Sequence, residues 1–338
     1  TVFCIILINH GATLHLVKLT TSLIYVIRPL YLSYYVKKHY HIDRKIKYTG
    51  EPIKQKWNGV AQHISAVILD GTDNIVLTIF AGLKAVSIYS VYNIVVAGVK
   101  QLLLSMTNGI QSLIGELIAK KEYDELNNIF GWVEWTIHTG TVFVFGVTAL
   151  LIVPFVQIYT HGITDANYIQ PLFAALIVLA NAGHCLRLPY NIVILAGGHY
   201  KQTQKCYIIA ALLNIIISVV AVNKLGLIGV TMGTVVAMCY QTMWMAIYDS
   251  KNIIYWPLKN FLKQVVVDIV TIALMSSFMF LTPIKTLFTL SSISYISWLV
   301  LAIKVSIVSI IFICITNLIC YKKYMIKLFA TISAILKK

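Results

Sequence analysis

Nine long apolar stretches joined by short polar connections constrain this chain more than any other feature of it. A helix needs about 20 apolar residues to cross a hydrocarbon layer about 30 Å thick. Stretches of that kind fall at 14–36, 58–80, 88–117, 130–158, 168–196, 203–223, 226–248, 264–283 and 293–319. Charged residues make up 12% of the sequence, against about 25% in ordinary soluble domains. A soluble fold would have to bury almost every element on all sides. The expected fold class is an all-α polytopic membrane protein.

The chain opens on Thr1 inside an apolar run, and residues 1–9 are too few to span. No n-region or cleavage site of a signal peptide is legible. The expectation is a helix tail whose beginning is missing, so that the chain is an N-terminally truncated fragment.

Nine passes alternate sides, so each connection can be scored by its Lys and Arg. One set carries Lys37, Lys38, Arg44, Lys45, Lys47, Lys54 and Lys56, and then the pairs Lys120–Lys121 and Lys201–Lys205. It continues with Lys251, Lys259 and Lys263 and with the C-terminal lysines, nineteen in all. The opposite set has Lys84, Lys224 and Lys285. The positive-inside rule assigns the richer set, and the C-terminus, to the cytoplasm. That asymmetry accounts for much of the net charge of +15; no nucleic-acid-binding module is present, and nucleic acid is not an expected partner.

Six cysteines lie in or beside apolar runs without a C-x-x-C pair, which suggests neither a disulfide framework nor a zinc site. Tyrosines gather near segment ends as an interfacial belt; Tyr89 and Tyr92 are candidates to face a cavity instead. Met325, Phe329, Ile332 and Leu336 recur at helical spacing between lysines, as in an amphipathic helix on the cytoplasmic face.

Four cations sit inside the apolar segments: Lys18, Arg28, Lys100 and Arg187. Each charge at a bilayer centre costs about 2.5–3.5 kcal/mol on insertion scales, so each must face a wet cavity, reach an opposite charge or extend to the membrane surface. Arg28 precedes Pro29 and Arg187 lies two residues before Pro189. An Arg beside a proline break can offer several donors to a phosphate, or satisfy the carbonyls that the proline frees. Lys304, also deep, has no assignable partner. Asp70 and Asp73 share one helix face and read either as an ion-coupling site or as charge partners of these cations. Glu116, Glu134 and Asp268 lie near segment ends and are expected to be solvated. His63, His138 and His184 have no metal-ligand spacing and read as polar contacts between helices, with His184 a possible cavity residue. Gly229 and Gly233 form a G-x-x-x-G, which permits close helix approach. There is no Gly-rich phosphate loop and no nucleophile elbow. Neither a cofactor nor a metal is called for.

The order of several short motifs resembles the polysaccharide transporters, specifically O-antigen-type flippases, within the superfamily of multidrug and lipid-linked oligosaccharide exporters. They are Arg28-Pro29 through Lys37-Lys38, Asp73-Asn74-Ile75-Val76-Leu77, Val86-Ser87-Ile88-Tyr89 and Gly115-Glu116. They continue with Pro189-Tyr190-Asn191, Ala196-Gly197-Gly198-His199-Tyr200-Lys201 and Gly226-Leu227-Ile228-Gly229-Val230. The resemblance implies two six-helix lobes plus two further helices. On that pattern 1–36 ends the first lobe and 37–57 is a basic cytoplasmic linker. Residues 58–248 form the second lobe, 249–319 the two extra helices, and 320–338 a basic amphipathic tail.

The function so implied is that of a non-enzymatic, monomeric flippase in the cytoplasmic membrane. It would carry a polyprenyl-diphosphate-linked oligosaccharide outward by alternating access for surface polysaccharide biosynthesis. The partners are that anionic lipid-linked oligosaccharide and the membrane lipids. Arg28, Lys100 and Arg187 would hold the diphosphate and Lys18 would guide it. A multidrug or cation antiporter of the same superfamily is the alternative, but it wants more carboxylates than Asp70 and Asp73. A membrane glycosyltransferase or polymerase wants larger external loops.

Overall fold

The computed structural model describes residues 2–41, 55–281 and 285–336, and every regular element among them is helical. The chain divides into two compact units, Thr1–Lys54 and Gln55–Lys338.

In the N-terminal unit, α1 (Val2–Asn9) is followed by α2 (Leu14–His39). Helix α2 has 26 residues and runs through Pro29 without a break in assignment; Lys37, Lys38 and His39 occupy its last turn, where the helix dipole favours cations. It is long enough to span but falls outside the group apolar enough to do so. Lys18, Arg28 and the tyrosines at 25, 31, 34 and 35 dilute its hydropathy. Residues 42–54 of the expected basic linker, with Arg44, Lys45, Lys47 and Lys54, lie outside the described residues.

The larger unit contains α3 (Lys56–Phe80), α4 (Gly82–Lys120), α5 (Tyr123–Tyr159), α6 (Pro171–Leu186), α7 (Leu188–Ala196) and α8 (Tyr200–Leu225). It continues with α9 (Leu227–Asn252), α10 (Leu258–Leu281), α11 (Tyr295–Cys320) and α12 (Lys322–Leu336). Eight spans among the described residues are long and apolar enough to cross a membrane: α3, α4, α5, α6 with α7, and α8 to α11. They coincide with the last eight expected stretches. Helices α4 and α5, at 39 and 37 residues, run past the expected ends. Lys121 in the left-handed region terminates α4. The expected end of α10 at 283 and the last two lysines, Lys337 and Lys338, lie outside the described residues.

The stretch 168–196 is two helices rather than one. Pro189 has no N–H to offer and its ring crowds the carbonyl four residues back, at Cys185. Helix α6 therefore ends at Leu186 and α7 starts at Leu188, leaving Arg187 at the joint. Within the bundle α8 packs along α9, and two glycines set their separation. A Cβ on Gly229 would stand 2.6 Å from the Ala221 backbone, and one on Gly233 would stand 2.4 Å from Ser218 Oγ. The G-x-x-x-G thus makes the close approach that its spacing suggested. Helix α3 lies against α8 through Gln62, whose amide donates to Thr203 Oγ1 at 2.6 Å and to the Tyr200 carbonyl at 3.0 Å.

Helices α10 and α11 lean on α5, and here the expectation of solvated acids fails. Glu134 and Asp268 are buried because α10 and the turn before it cover the end of α5. Glu134 accepts from Tyr190 Oη at 2.5 Å and Trp256 Nε1 at 2.9 Å. Asp268 meets His138 Nδ1 at 2.6 Å and Gln264 Nε2 at 3.0 Å. Glu116 is exposed and pairs with Lys120 one turn on, as its position near a helix end predicts. Of the cysteines, Cys185 and Cys206 are buried and Cys239 is exposed.

Candidate functional site

Lys100 and Arg187, with Asp70 and Asp73, line two cavities along α3 and α4. The first, of about 210 Å³, lies among α3, α4, α6 and α9, with Asp70, Asp73, Tyr89, Lys100, His184 and Thr234 on its walls. The second, of about 400 Å³, lies among α3, α4, the α6–α7 joint and α8, with Gln62, His63, His184, Arg187, Tyr200 and Tyr207 on its walls. His184 lines both, so the two share one wall.

In the first cavity Lys100 Nζ stands 3.8 Å from Asp70 Oδ1. Asp73, one turn further along α3, is buried and meets neutral donors instead. Thr234 Oγ1 lies 2.9 Å from both carboxylate oxygens, Tyr89 Oη 3.2 Å from Oδ2, and Asn214 Nδ2 3.4 Å from Oδ1. Among the described residues no Lys or Arg comes within ion-pair distance of Asp73. The cluster draws on α3, α4, α8 and α9, so it forms only when the close α8–α9 contact is made.

In the second cavity Arg187 projects from the helix break and is 6% exposed. Its Nη1 donates to Gln241 Oε1 on α9 at 2.5 Å, and its Nη2 donates to His184 Nδ1 at 3.3 Å. An imidazole that accepts at Nδ1 is neutral there. The Nε of Arg187 has no hydrogen-bond partner, and among the described residues no carboxylate lies within 4.0 Å of the guanidinium. A guanidinium offers five N–H donors in a rigid fork. This one stands on the wall of a cavity whose lining holds no carboxylate, and a planar fork of that kind suits a phosphate oxygen.

Lys18 and Arg28 lie on α2 in the N-terminal unit and are exposed there. Tyr89 lines the first cavity, but Tyr92 does not line either one. Its hydroxyl donates to the Tyr168 carbonyl at 2.8 Å and accepts from Gln170 N at 3.1 Å, tying α4 to the loop ahead of α6. Lys304 reaches the Leu287 carbonyl at 3.5 Å. At the α7–α8 turn, outside the spans, burial pulls the His199 imidazole below its ordinary pKa, and its Nδ1 lies 2.8 Å from Tyr248 Oη. Sequence reasoning missed Gln241, Asn214 and Thr234 as site residues. Each is a single polar residue in an apolar helix, a pattern too common to single out without knowing which helix faces which.

No protein-family model matches the chain, and no curated protein matches it. A solved structure of the lipid II flippase MurJ in an inward-closed conformation has a similar fold, with a TM-score of 0.53 and 16% sequence identity. The match covers 80% of this chain and 53% of that one, so the chain spans about half the length of the structure it resembles. The chain has the all-α fold of a polytopic membrane transporter.

Proposed function

We propose that the chain belongs to a flippase for a polyprenyl-diphosphate-linked oligosaccharide, acting as a transporter and not as an enzyme. It works in the cytoplasmic membrane as a monomer with the C-terminus in the cytoplasm, and it serves surface polysaccharide assembly. Arg187 carries this reading. It is a buried cation on the wall of a cavity, with no carboxylate partner among the described residues. An unpaired buried charge is costly, and an anionic head group offsets that cost while it is bound. The similarity in fold to a protein described as a lipid II flippase supports the same class of cargo.

The head group enters near Tyr200 and Arg187, passes His184, and moves toward Lys100. Lys100 is already near Asp70, which moderates its hold on the anion; a site that binds too tightly cannot release. Rocking of helical lobes about this site exposes it to one side at a time.

Asp73 supports an additional reading, that of cation or proton coupling. A buried carboxylate surrounded by hydroxyl and amide groups, with no Lys or Arg within 4.0 Å among the described residues, can take up a proton or a small hard cation. Its role separates from substrate holding by experiment. In Asp73→Asn, transport should lose its dependence on a sodium or proton gradient while substrate binding persists. Unchanged gradient dependence would remove Asp73 from coupling.

The test of the main reading is binding of a polyprenyl diphosphate to the purified protein in detergent. Arg187→Gln should weaken it by about 1.5–3 kcal/mol, tenfold or more, with little effect on binding of a neutral polyprenol. Equal affinity in the variant would exclude Arg187 from the site.

A further inference from the structure

A third cavity lies apart from the site above, at the lysine-rich end of the bundle. It has about 300 Å³ of space beneath α12, where α5, α10 and α11 also end. That volume is at the lower limit of ligand pockets, about 300–1,000 Å³. Its charged lining consists of Lys263, Lys322 and Lys323 with Glu134. Glu134 is spoken for by Tyr190 and Trp256, and Lys263 is fixed by a 2.9 Å bond to the Cys320 carbonyl and by the Tyr321 ring 4.4 Å away. Lys322 and Lys323 are exposed, with no carboxylate within 4.0 Å among the described residues.

The pocket is built rather than accidental. Gly131 lets two of its wall side chains pack closely on α5: a Cβ there would lie 2.6 Å from Tyr324 Oη and 2.7 Å from the Trp256 ring. The two free lysines occupy the first turn of α12, which holds no acidic residue. The helix dipole is positive at that end and opposes them; an anion in the pocket would relieve both. Further along α12, Ile326 and Phe329 are 54% and 48% exposed while Met325 is buried. Apolar residues standing out beside lysines mark a helix that lies in a membrane surface, which puts the pocket at head-group depth. The Trp256, Tyr321 and Tyr324 rings on its walls suit the same depth.

We propose that this pocket binds the phosphodiester head group of an anionic glycerophospholipid. Lys322 and Lys323 hold the phosphate, Lys263 forms the inner wall, and the acyl chains leave along the apolar face of α12. Basic pockets between helix ends are a recurring way to hold such lipids. The bound lipid fixes α12 against α5 and α10, and with it the position of Trp256 over Glu134.

The test is native mass spectrometry of the delipidated chain in detergent, titrated with phosphatidylglycerol or with phosphatidylcholine. The expected result is roughly tenfold preference for phosphatidylglycerol. K322Q/K323Q, which changes exposed side chains alone, should abolish the preference, while K251Q/K259Q, which removes equal charge outside the pocket, should keep it. No preference in the unaltered chain, or the same loss in both variants, would overturn a built site in favour of diffuse surface charge. Displacement of the lipid by millimolar inorganic phosphate would assign the site to free phosphate and overturn its reading as a lipid site.

Discussion

At the scale of single residues, the buried groups make sharp demands. His138 is fully enclosed beside Asp268, and removing one partner of a buried hydrogen bond costs about 1–3 kcal/mol. His138→Ala should therefore lower the thermal unfolding midpoint in detergent markedly, and an unchanged midpoint would refute the pairing. Gly233 has no room for a side chain, since Ser218 Oγ and the Asn214 carbonyl lie 2.4 and 2.9 Å from the site of a Cβ. Gly233→Val should cost about 1–3 kcal/mol by forcing α8 from α9, and it should disturb the Asn214–Asp73–Thr234 cluster as well. What could be read from the sequence at this scale was which charges were out of place. Lys100, Arg187, Asp70 and Asp73 announce themselves as ionisable groups among apolar neighbours. Their partners do not, because Thr234, Asn214 and Gln241 become partners only through helix packing. Glu134 and Asp268 misled for the same reason: closeness to a helix end implies water only where no other helix covers that end.

At the scale of elements, apolar length located all eight spans of the larger unit, since length and hydropathy are what a bilayer selects. The break at Arg187 was foreshadowed by Pro189 but not resolved into two helices, because a proline in a membrane helix can bend the axis without ending it, as Pro29 in α2 and Pro154 in α5 illustrate. The break aims Arg187. Pro189→Ala restores an N–H within reach of the Cys185 carbonyl and should join α6 to α7, turning the guanidinium away from Gln241. Yield should hold while transport falls to about a tenth, in line with the loss of about 1.4 kcal/mol of head-group binding. Full transport by this variant would show that the break has no part in the site.

At the scale of the whole molecule, the account requires that a cationic track through an all-α membrane bundle carries an anionic head group from one leaflet to the other. Lys100 and Arg187 supply two cations of that track on the walls of adjoining cavities. Lysine asymmetry between the two sets of connections predicts an orientation that labelling checks. A cysteine placed at Lys251 should react with a membrane-impermeant maleimide only in broken cells, and one placed at Lys224 in intact cells as well; the reverse pattern would invert the topology. The most direct measurement is surface polysaccharide in cells that lack their own oligosaccharide flippase, after expression of the natural gene product that contains this chain. The account predicts that surface polysaccharide returns and that Arg187→Lys, at normal expression, reduces it strongly. Full restoration by Arg187→Lys would contradict the account, and so would resistance to cationic drugs with no polysaccharide at the surface.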